Sequence, residues 1–222
     1  MKNKVIIYLA IFIVFYFTKI LTFAKDPTVI TADDGIEVFQ IEKYYNVSKN
    51  VDLKSEDFDL KADNLKAYYD KDFYDLIKII ATGEVVIETN EGSIIKGDKV
   101  IYEIPDQKFD IMGSGNFVNE SLTIMGEKII GSFFKVNDET VVKNVEAEDP
   151  KTVFIQNKEM KSYSKSAIYS KENEVLELFD NVKIIKGQEI TTGDYANINI
   201  LTNNYTIKSV DNKVQLLINS ED

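Results

Sequence analysis

Two stretches of this chain carry the same pattern of residues. The first reads Ala81-Thr82-Gly83-Glu84-Val85-Val86-Ile87, then Ser93-Ile94-Ile95-Lys96-Gly97-Asp98-Lys99-Val100-Ile101-Tyr102. The second reads Phe179-Asp180-Asn181-Val182-Lys183-Ile184-Ile185, then Gln188-Glu189-Ile190-Thr191-Thr192-Gly193-Asp194-Tyr195-Ala196-Asn197-Ile198. Each has a β-branched segment, a short polar turn and a second segment with a Gly-Asp step near its middle, which predicts paired strands.

Weaker copies of this module fill the rest of the chain. Aligned on the two-residue step, the copies lie at Ala62-Asp63, Gly97-Asp98, Gly126-Glu127, Ser164-Lys165 and Gly193-Asp194, at intervals of 29 to 38 residues. Self-similarity at such a period indicates a stacked or rolled architecture. We expect the insertions and deletions between copies to lie in hairpin loops, where they cost little.

The pattern predicts an all-β protein. Almost no segment shows helical periodicity, and strand and turn lengths allow roughly 14–16 short antiparallel strands. Many strands place apolar residues on one parity only, so one face of the sheet must be hidden by folding the sheet over on itself. We expect a sandwich or rolled barrel with an apolar interior, which is a groove where the two sheets splay apart. The acidic, proline-ended stretch 146–150 is the best internal break.

The N-terminus has the features of an export signal. A basic Met1-Lys2-Asn3-Lys4 precedes the apolar run 5–17, and small residues at Thr22 and Ala24 predict cleavage after Ala24. The predicted organisation is a signal at 1–24 and one domain at 25–222. The apolar run is shorter than the ~20 residues of a membrane-spanning helix, but Lys19 can snorkel, so a retained inner-membrane anchor is the alternative.

Composition excludes several functions. The chain has no histidine and no cysteine, so it has no Ser-His-Asp triad, cysteine nucleophile or histidine-bearing metal site. The formal net charge of −11 repels nucleic acid and anionic membrane surfaces. Carboxylate pairs such as Asp33-Asp34 stand in predicted turns and are expected to be solvated. We therefore predict neither enzymatic activity nor a cofactor, metal or nucleic-acid partner.

The repeated Gly-x-Val-x-Ile, a gap and Ile-x-x-Gly-Asp-x-x-x-Tyr resemble the OstA-like family of lipopolysaccharide-transport proteins of the LptA type. The opening Pro27-Thr28-Val29-Ile30-Thr31-Ala32-Asp33 is also similar to the start of that family's domain. The resemblance covers about residues 26–218. It implies a β-jellyroll of splayed antiparallel sheets in the periplasm of a Gram-negative cell. It also implies that jellyrolls stack end to end through edge strands and pass lipopolysaccharide to the outer membrane.

The resemblance also implies where lipid is bound. By position in the opening strand it assigns lipid contact to Thr28 and Ile30, although the family usually has a larger apolar residue where Thr28 stands. The parity of the repeated strands adds the other groove candidates, which are Val85, Ile87, Val100, Tyr102, Phe117, Val182, Ile184, Ala196 and Ile198. We expect partners to be lipid A acyl chains, homologous jellyrolls and further copies of this chain, joined at the edge strand 213–218.

Two other interpretations remain open from the sequence. One is the membrane-anchored, LptC-type component of the same transport system, which shares the fold and keeps the N-terminal segment. The other belongs to a different class, a β-solenoid carbohydrate-active enzyme, for which two carboxylates would suffice. A solenoid requires a more regular coil length than the intervals found here.

Overall fold

The computed structural model describes residues 28–71, 75–136, 139–210 and 213–218, which form strands joined by turns. The predicted signal at 1–24 lies outside these residues. The strands are β1 (Val29–Thr31), β2 (Gly35–Phe39), β3 (Tyr44–Lys54), β4 (Phe58–Tyr69), β5 (Leu76–Thr89), β6 (Ile94–Glu103), β7 (Lys108–Val118), β8 (Thr123–Val136), β9 (Glu139–Gln156), β10 (Met160–Ser170), β11 (Val175–Lys186), β12 (Glu189–Asn199), β13 (Asn204–Lys208) and β14 (Gln215–Ile218).

All strands belong to one antiparallel sheet. From β3 to β13 each strand pairs with the next strand in the chain, so this part of the sheet is a meander. The ends differ, because β1 and β2 both pair with β3 at one end, while β13 and β14 both pair with β12 at the other. This antiparallel order excludes the solenoid alternative, whose successive coils would pair in parallel. The all-β, antiparallel prediction and the predicted strand number are confirmed.

A register break crosses the middle of every long strand, and the repeated steps lie on it. The pairing shifts between Lys61 and Asn64 in β4, and between Lys96 and Lys99 in β6, so that Asp63 and Asp98 fall in the gaps. The same shift brackets Glu127 in β8, Lys165 in β10 and Asp194 in β12. Such β-bulges bend a strand. Together they form a line of bends across the sheet, which we call the crease.

The two residues of each step have different roles at the crease. The first is always small, and a Cβ added to Gly97 would lie 2.3 Å from Ile111 Cγ2, so this position has no room for a larger side chain. The second is charged and points outward, and Asp63 and Asp98 are exposed. The step therefore combines a small inner residue, where the two halves of the sheet converge, with a solvated outer one.

The crease folds the sheet into two facing layers. Layer A contains residues 29–31, 51–62, 85–97, 115–126, 153–164, 182–193 and 215–218, and layer B contains 35–48, 64–71, 75–82, 99–112, 128–136, 139–148, 166–179 and 195–208. The ring of Phe58 in layer A meets that of Tyr102 in layer B edge-on, with centroids 5.4 Å apart. The Thr191 hydroxyl of layer A lies 2.9 Å from the Tyr205 hydroxyl of layer B. Apolar residues of both layers form one core.

Two details differ from the sequence-based expectation. The strands β3 to β12 have 10 to 18 residues, longer than expected, because each runs through both layers. The predicted break at 146–150 is wrong, because β9 continues through it from Glu139 to Gln156. Pro150 stands at the crease, where the Asp149 carboxylate accepts hydrogen bonds from the backbone N–H groups of Lys151 and Thr152 at 2.6 and 2.9 Å. Proline is tolerated in a strand at such a bulge.

Candidate functional site

The inner face of layer A carries a continuous row of side chains along the whole sheet. Cross-strand pairing places one residue of the row on each of twelve strands. In spatial order the row is Ile30, Leu53, Leu60, Ile87, Ile95, Phe117, Ile124, Ile155, Ser162, Ile184, Thr191 and Leu216. At about 4.8 Å per strand the row is roughly 50 Å long. Only Ser162 and Thr191 interrupt its apolar character.

The structure brings most of the predicted groove residues to this interior. Nine of them are 7% exposed or less, namely Val85, Ile87, Val100, Tyr102, Phe117, Val182, Ile184, Ala196 and Ile198. Ile30 is half-buried and packs against the core. Thr28 is exposed and lines a cavity at the β1 end of the interior. Contact of these residues with lipid remains a prediction.

Sequence reasoning missed several members of the same row. Leu53, Leu60, Ile95, Ile124 and Ile155 are all buried, and all but Ile155 pair directly with a predicted residue on a neighbouring strand. The signal that identifies them is the parity of each strand, followed through each hairpin from a residue already assigned. Because a bulge shifts that parity at the crease, the two halves of each strand have to be aligned separately.

An aromatic cluster fills the interior where β6, β7 and β8 cross it. Tyr102 contacts Phe58 and Phe133 edge-on, at centroid distances of 5.4 and 5.7 Å, and Phe133 lies 4.8 Å from Phe109. Three of these side chains, Tyr102, Phe109 and Phe133, are almost fully buried. The interior is therefore packed with its own side chains at this level, and the two layers must separate here before another molecule can pass.

A cavity of about 170 Å³ lies between this cluster and the β1 end. Its apolar walls come from both layers and include Leu53, Phe58, Leu76, Ile79 and Ile104. The charged residues that line it are Glu56, Asp57 and Asp75, all acidic. The cavity thus combines hydrocarbon-like walls with acidic residues.

Asp57 is the acidic group that most affects its surroundings. Its Oδ1 lies 2.6 Å from Lys135 Nζ, and the same oxygen accepts a hydrogen bond from the Thr140 hydroxyl at 3.2 Å. Tyr102 lines the same cavity. Burial, together with the negative charge of Asp57, raises the pKa of Tyr102 to about 12, so this phenol stays neutral throughout the physiological range.

The side of the fold opposite the crease, where the hairpin turns of the two layers meet, is called the rim. The Thr140 backbone N–H of layer B donates to Asn90 Oδ1, from a turn of layer A, at 2.9 Å. Farther along, the Asn157 side-chain amide donates to Asn203 Oδ1 at 2.8 Å. Polar contacts therefore connect the two layers at the rim, whereas continuous strands connect them at the crease.

Metal binding has no corresponding arrangement of acidic side chains in the described part of the chain. Within the residues that the structure describes, no group of three acidic side chains is placed to hold a metal ion. The same ranges contain no helix that is long and apolar enough to cross a membrane.

Comparison with known proteins addresses the family. The sequence model described as "LptA/(LptD N-terminal domain) LPS transport protein" matches residues 29–133 and 117–204. Comparison with curated proteins gives no match. Among solved structures, LptH from Pseudomonas aeruginosa, the LptA homologous periplasmic component of that organism's lipopolysaccharide transport device, superposes with a TM-score of 0.52 at 12% identity. The match covers 59% of this chain and 96% of LptH, and at this identity it shows a common fold. Since the family model matches most of the described residues, this chain belongs to the LptA/LptD N-terminal domain family of lipopolysaccharide transport proteins.

Proposed function

We propose that this protein carries lipopolysaccharide through the periplasm, with the acyl chains held between layers A and B. The observation that carries the proposal is the apolar row from Ile30 to Leu216, which has one residue on every strand except β2 and β13. Transfer of apolar surface out of water gains about 25 cal/mol per Å², or roughly 0.8 kcal/mol per methylene. That gain is non-directional, so an acyl chain can shift from one strand to the next without breaking specific bonds.

The headgroup of the lipid stays outside in this proposal. Sugars and phosphates are costly to bury without partners, and the inner row offers only two hydroxyl-bearing side chains, Ser162 and Thr191. The net charge of the chain is strongly negative, so its surface does not bind phosphates tightly and does not retain the cargo. The protein acts as a carrier and not as an enzyme.

The two ends of the sheet are suited to end-to-end assembly. At one end β1 and β2 expose Val29, Ile36 and Val38, each 48% accessible. At the other end β14 exposes Leu216, Leu217 and Ile218, at 59, 55 and 64%. Unpaired edge strands readily accept another strand. We propose that these ends join homologous jellyrolls, or further copies of this chain, into a bridge.

Photocrosslinking tests the proposed function. A photoreactive residue at Ile87 or Phe117, on the inner row, is expected to form adducts with lipopolysaccharide. The same residue at Lys96 or Lys183, on the outer face of the same layer, is expected to form none. Lys96 pairs directly with Asn116, next to Phe117, so this control lies beside a test position and occupies the opposite face. Equal adduct yields on both faces would refute transport through the interior.

The membrane-anchored interpretation shares this interior and differs only at the N-terminus. The apolar run 5–17 favours export in both cases. N-terminal sequencing of the protein from cells separates the two: a start at Lys25 supports the periplasmic carrier, and an intact N-terminus supports the anchored component.

A further inference from the structure

The cavity near β1 is bordered at the rim by Asp57, which contacts residues far from it in the chain. Asp57 stands in the turn between β3 and β4, while Lys135 and Thr140 stand near the end of β8 and the start of β9. Asp57 Oδ1 lies 2.6 Å from Lys135 Nζ and 3.2 Å from Thr140 Oγ1. These contacts connect layer A to layer B at one place on the rim.

A neighbouring contact holds the same segment of layer B. The Thr140 N–H donates to Asn90 Oδ1, and the Asn90 N–H donates to the Asp57 carbonyl oxygen at 3.3 Å. The turns that carry Asp57 and Asn90 are therefore connected to each other and to Thr140. The Asp57 side chain is 21% exposed, so its ion pair with Lys135 lies partly out of the solvent and at the boundary of the cavity.

The apolar walls and acidic residues of the cavity favour one class of ligand. Leu53, Phe58, Leu76 and Ile79 offer apolar contact, and Asp57 repels an anionic group. A single hydrocarbon chain satisfies both conditions when its polar end stays outside the rim. Tyr102 lines the cavity and contacts Phe133 of the aromatic cluster, with ring centroids 5.7 Å apart.

We propose that Asp57, Lys135 and Thr140 form a latch across the rim, and that its opening admits one hydrocarbon chain sideways into the cavity that Asp57 borders. The latch closes again after the chain has entered, so it controls the rates of uptake and release and leaves the affinity unchanged. The identity of that chain as part of lipopolysaccharide rests on the proposed function. The latch and its cavity are tested with a simpler ligand.

Stopped-flow binding of cis-parinaric acid, a fatty acid that fluoresces in apolar surroundings, measures the latch. Asp57→Asn is expected to raise both the association and the dissociation rate roughly three- to fivefold, the factor that a partly exposed ion pair supplies. The dissociation constant should stay within about twofold, since both rates change together. Asp59→Asn is the matched control, because Asp59 is exposed on the outer face two residues away and should change neither rate.

Lys135→Met separates a latch from simple electrostatics. Loss of a cation should slow the approach of an anionic fatty acid, whereas loss of the latch should accelerate it as Asp57→Asn does. Faster uptake in both variants supports the latch. Slower uptake in Lys135→Met, or equal rates in Asp57→Asn and Asp59→Asn, would overturn it.

The position of the bound chain is measured independently. The native chain contains no cysteine, so a nitroxide quencher attaches only at an introduced one. On Thr28→Cys, at the cavity, the nitroxide should quench bound parinaric acid, and on Asn204→Cys, at the far end of the sheet, it should not. Equal quenching at both positions would refute the assigned cavity.

The two proposals fail in different ways. Lipopolysaccharide adducts at Phe117 combined with unchanged rates in Asp57→Asn would refute the latch and keep the carrier function. Faster fatty-acid exchange without lipopolysaccharide adducts would refute the carrier function and keep the latch.

Discussion

Replacement of Gly83 by alanine tests the structure of the crease. Gly83 has φ of +78°, in the left-handed region. A Cβ at this position would lie 2.2 Å from Asp63 Oδ2 and 2.7 Å from Asp63 Cβ. Because Asp63 Cβ is fixed by the backbone of β4, rotation of the Asp63 side chain cannot relieve the second contact. The variant must therefore shift one strand against the other at the bend.

The free-energy cost of Gly83→Ala has two parts. A left-handed conformation costs alanine about 1–2 kcal/mol relative to glycine. Overpacking against a neighbouring strand adds about 1–3 kcal/mol. Gly83→Ala should therefore reduce the free energy of unfolding by roughly 2–5 kcal/mol in total. Gly92→Ala is the matched control, because Gly92 has φ of +86° and a Cβ there would meet nothing within 4 Å. That control should lose only the conformational part.

Urea denaturation measures the difference. We expect a lower midpoint for Gly83→Ala than for Gly92→Ala, with similar slopes because both variants unfold the same surface. The double variant Asp63→Gly with Gly83→Ala should recover the overpacking part. The same experiment at Gly113, whose Cβ would lie 2.4 Å from Asp98 Oδ2 at φ of +73°, should repeat the result one repeat further along. Equal losses in Gly83→Ala and Gly92→Ala would refute the close approach of β4 and β5 at the crease.

Three further predictions follow from other parts of the fold. Because the pKa of Tyr102 is raised to about 12 while an unfolded tyrosine titrates near 10, the unfolded state releases this proton first as pH rises. Stability should therefore fall between about pH 10 and 12. In alkaline urea titrations, Tyr102→Phe should reduce that fall by up to about 2 kcal/mol. A fall in the variant as large as in the unmodified protein would contradict the burial of the phenol. Leu217→Lys, on the exposed edge strand β14, should abolish concentration-dependent association measured by light scattering. The control Ile168→Lys, away from the edges, should leave association unchanged. Association that persists in Leu217→Lys would exclude β14 as the joining edge. Phe133→Ala should lower the free energy of unfolding by about 3–5 kcal/mol, because it removes a ring from the aromatic cluster. The control Phe154→Ala, at a half-buried position, should lower it by about 1 kcal/mol. Similar losses in the two variants would argue against a packed interior at the level of the cluster.

The repeated two-residue step shows which features of the fold can be predicted from the sequence. Its recurrence and the parity of the flanking strands predicted a rolled all-β fold and placed Val85, Phe117 and Val182 inside it. The sequence placed the step near the middle of a strand, but it did not predict that the step forms a bulge, because a bulge is defined by pairing with the neighbouring strand and not by local composition. For the same reason the stretch ending at Pro150 was interpreted as a break, although it is the bend of a continuous strand.

Contacts across the rim could not be predicted from the sequence. Asp57 and Lys135 are brought together by the twist and folding of the whole sheet, and neither residue has a distinctive neighbourhood in the chain. The structure places Thr28 at the cavity near β1, and its contact with lipid stays a prediction. Thr28 is exposed and Ile30 is half-buried because of the way in which the short β1 pairs with β3. The strand pattern alone does not determine this pairing.

The register breaks along the crease have a mechanical consequence. Each break bends the strands at which it occurs, so the crease is a line of separate bends and not one rigid fold line. We expect the two layers to separate over a few strands at a time, since each bend can open without the others. In the proposed carrier, the free energy of each forward step would then depend on the size of the bound group and not on the length of the sheet.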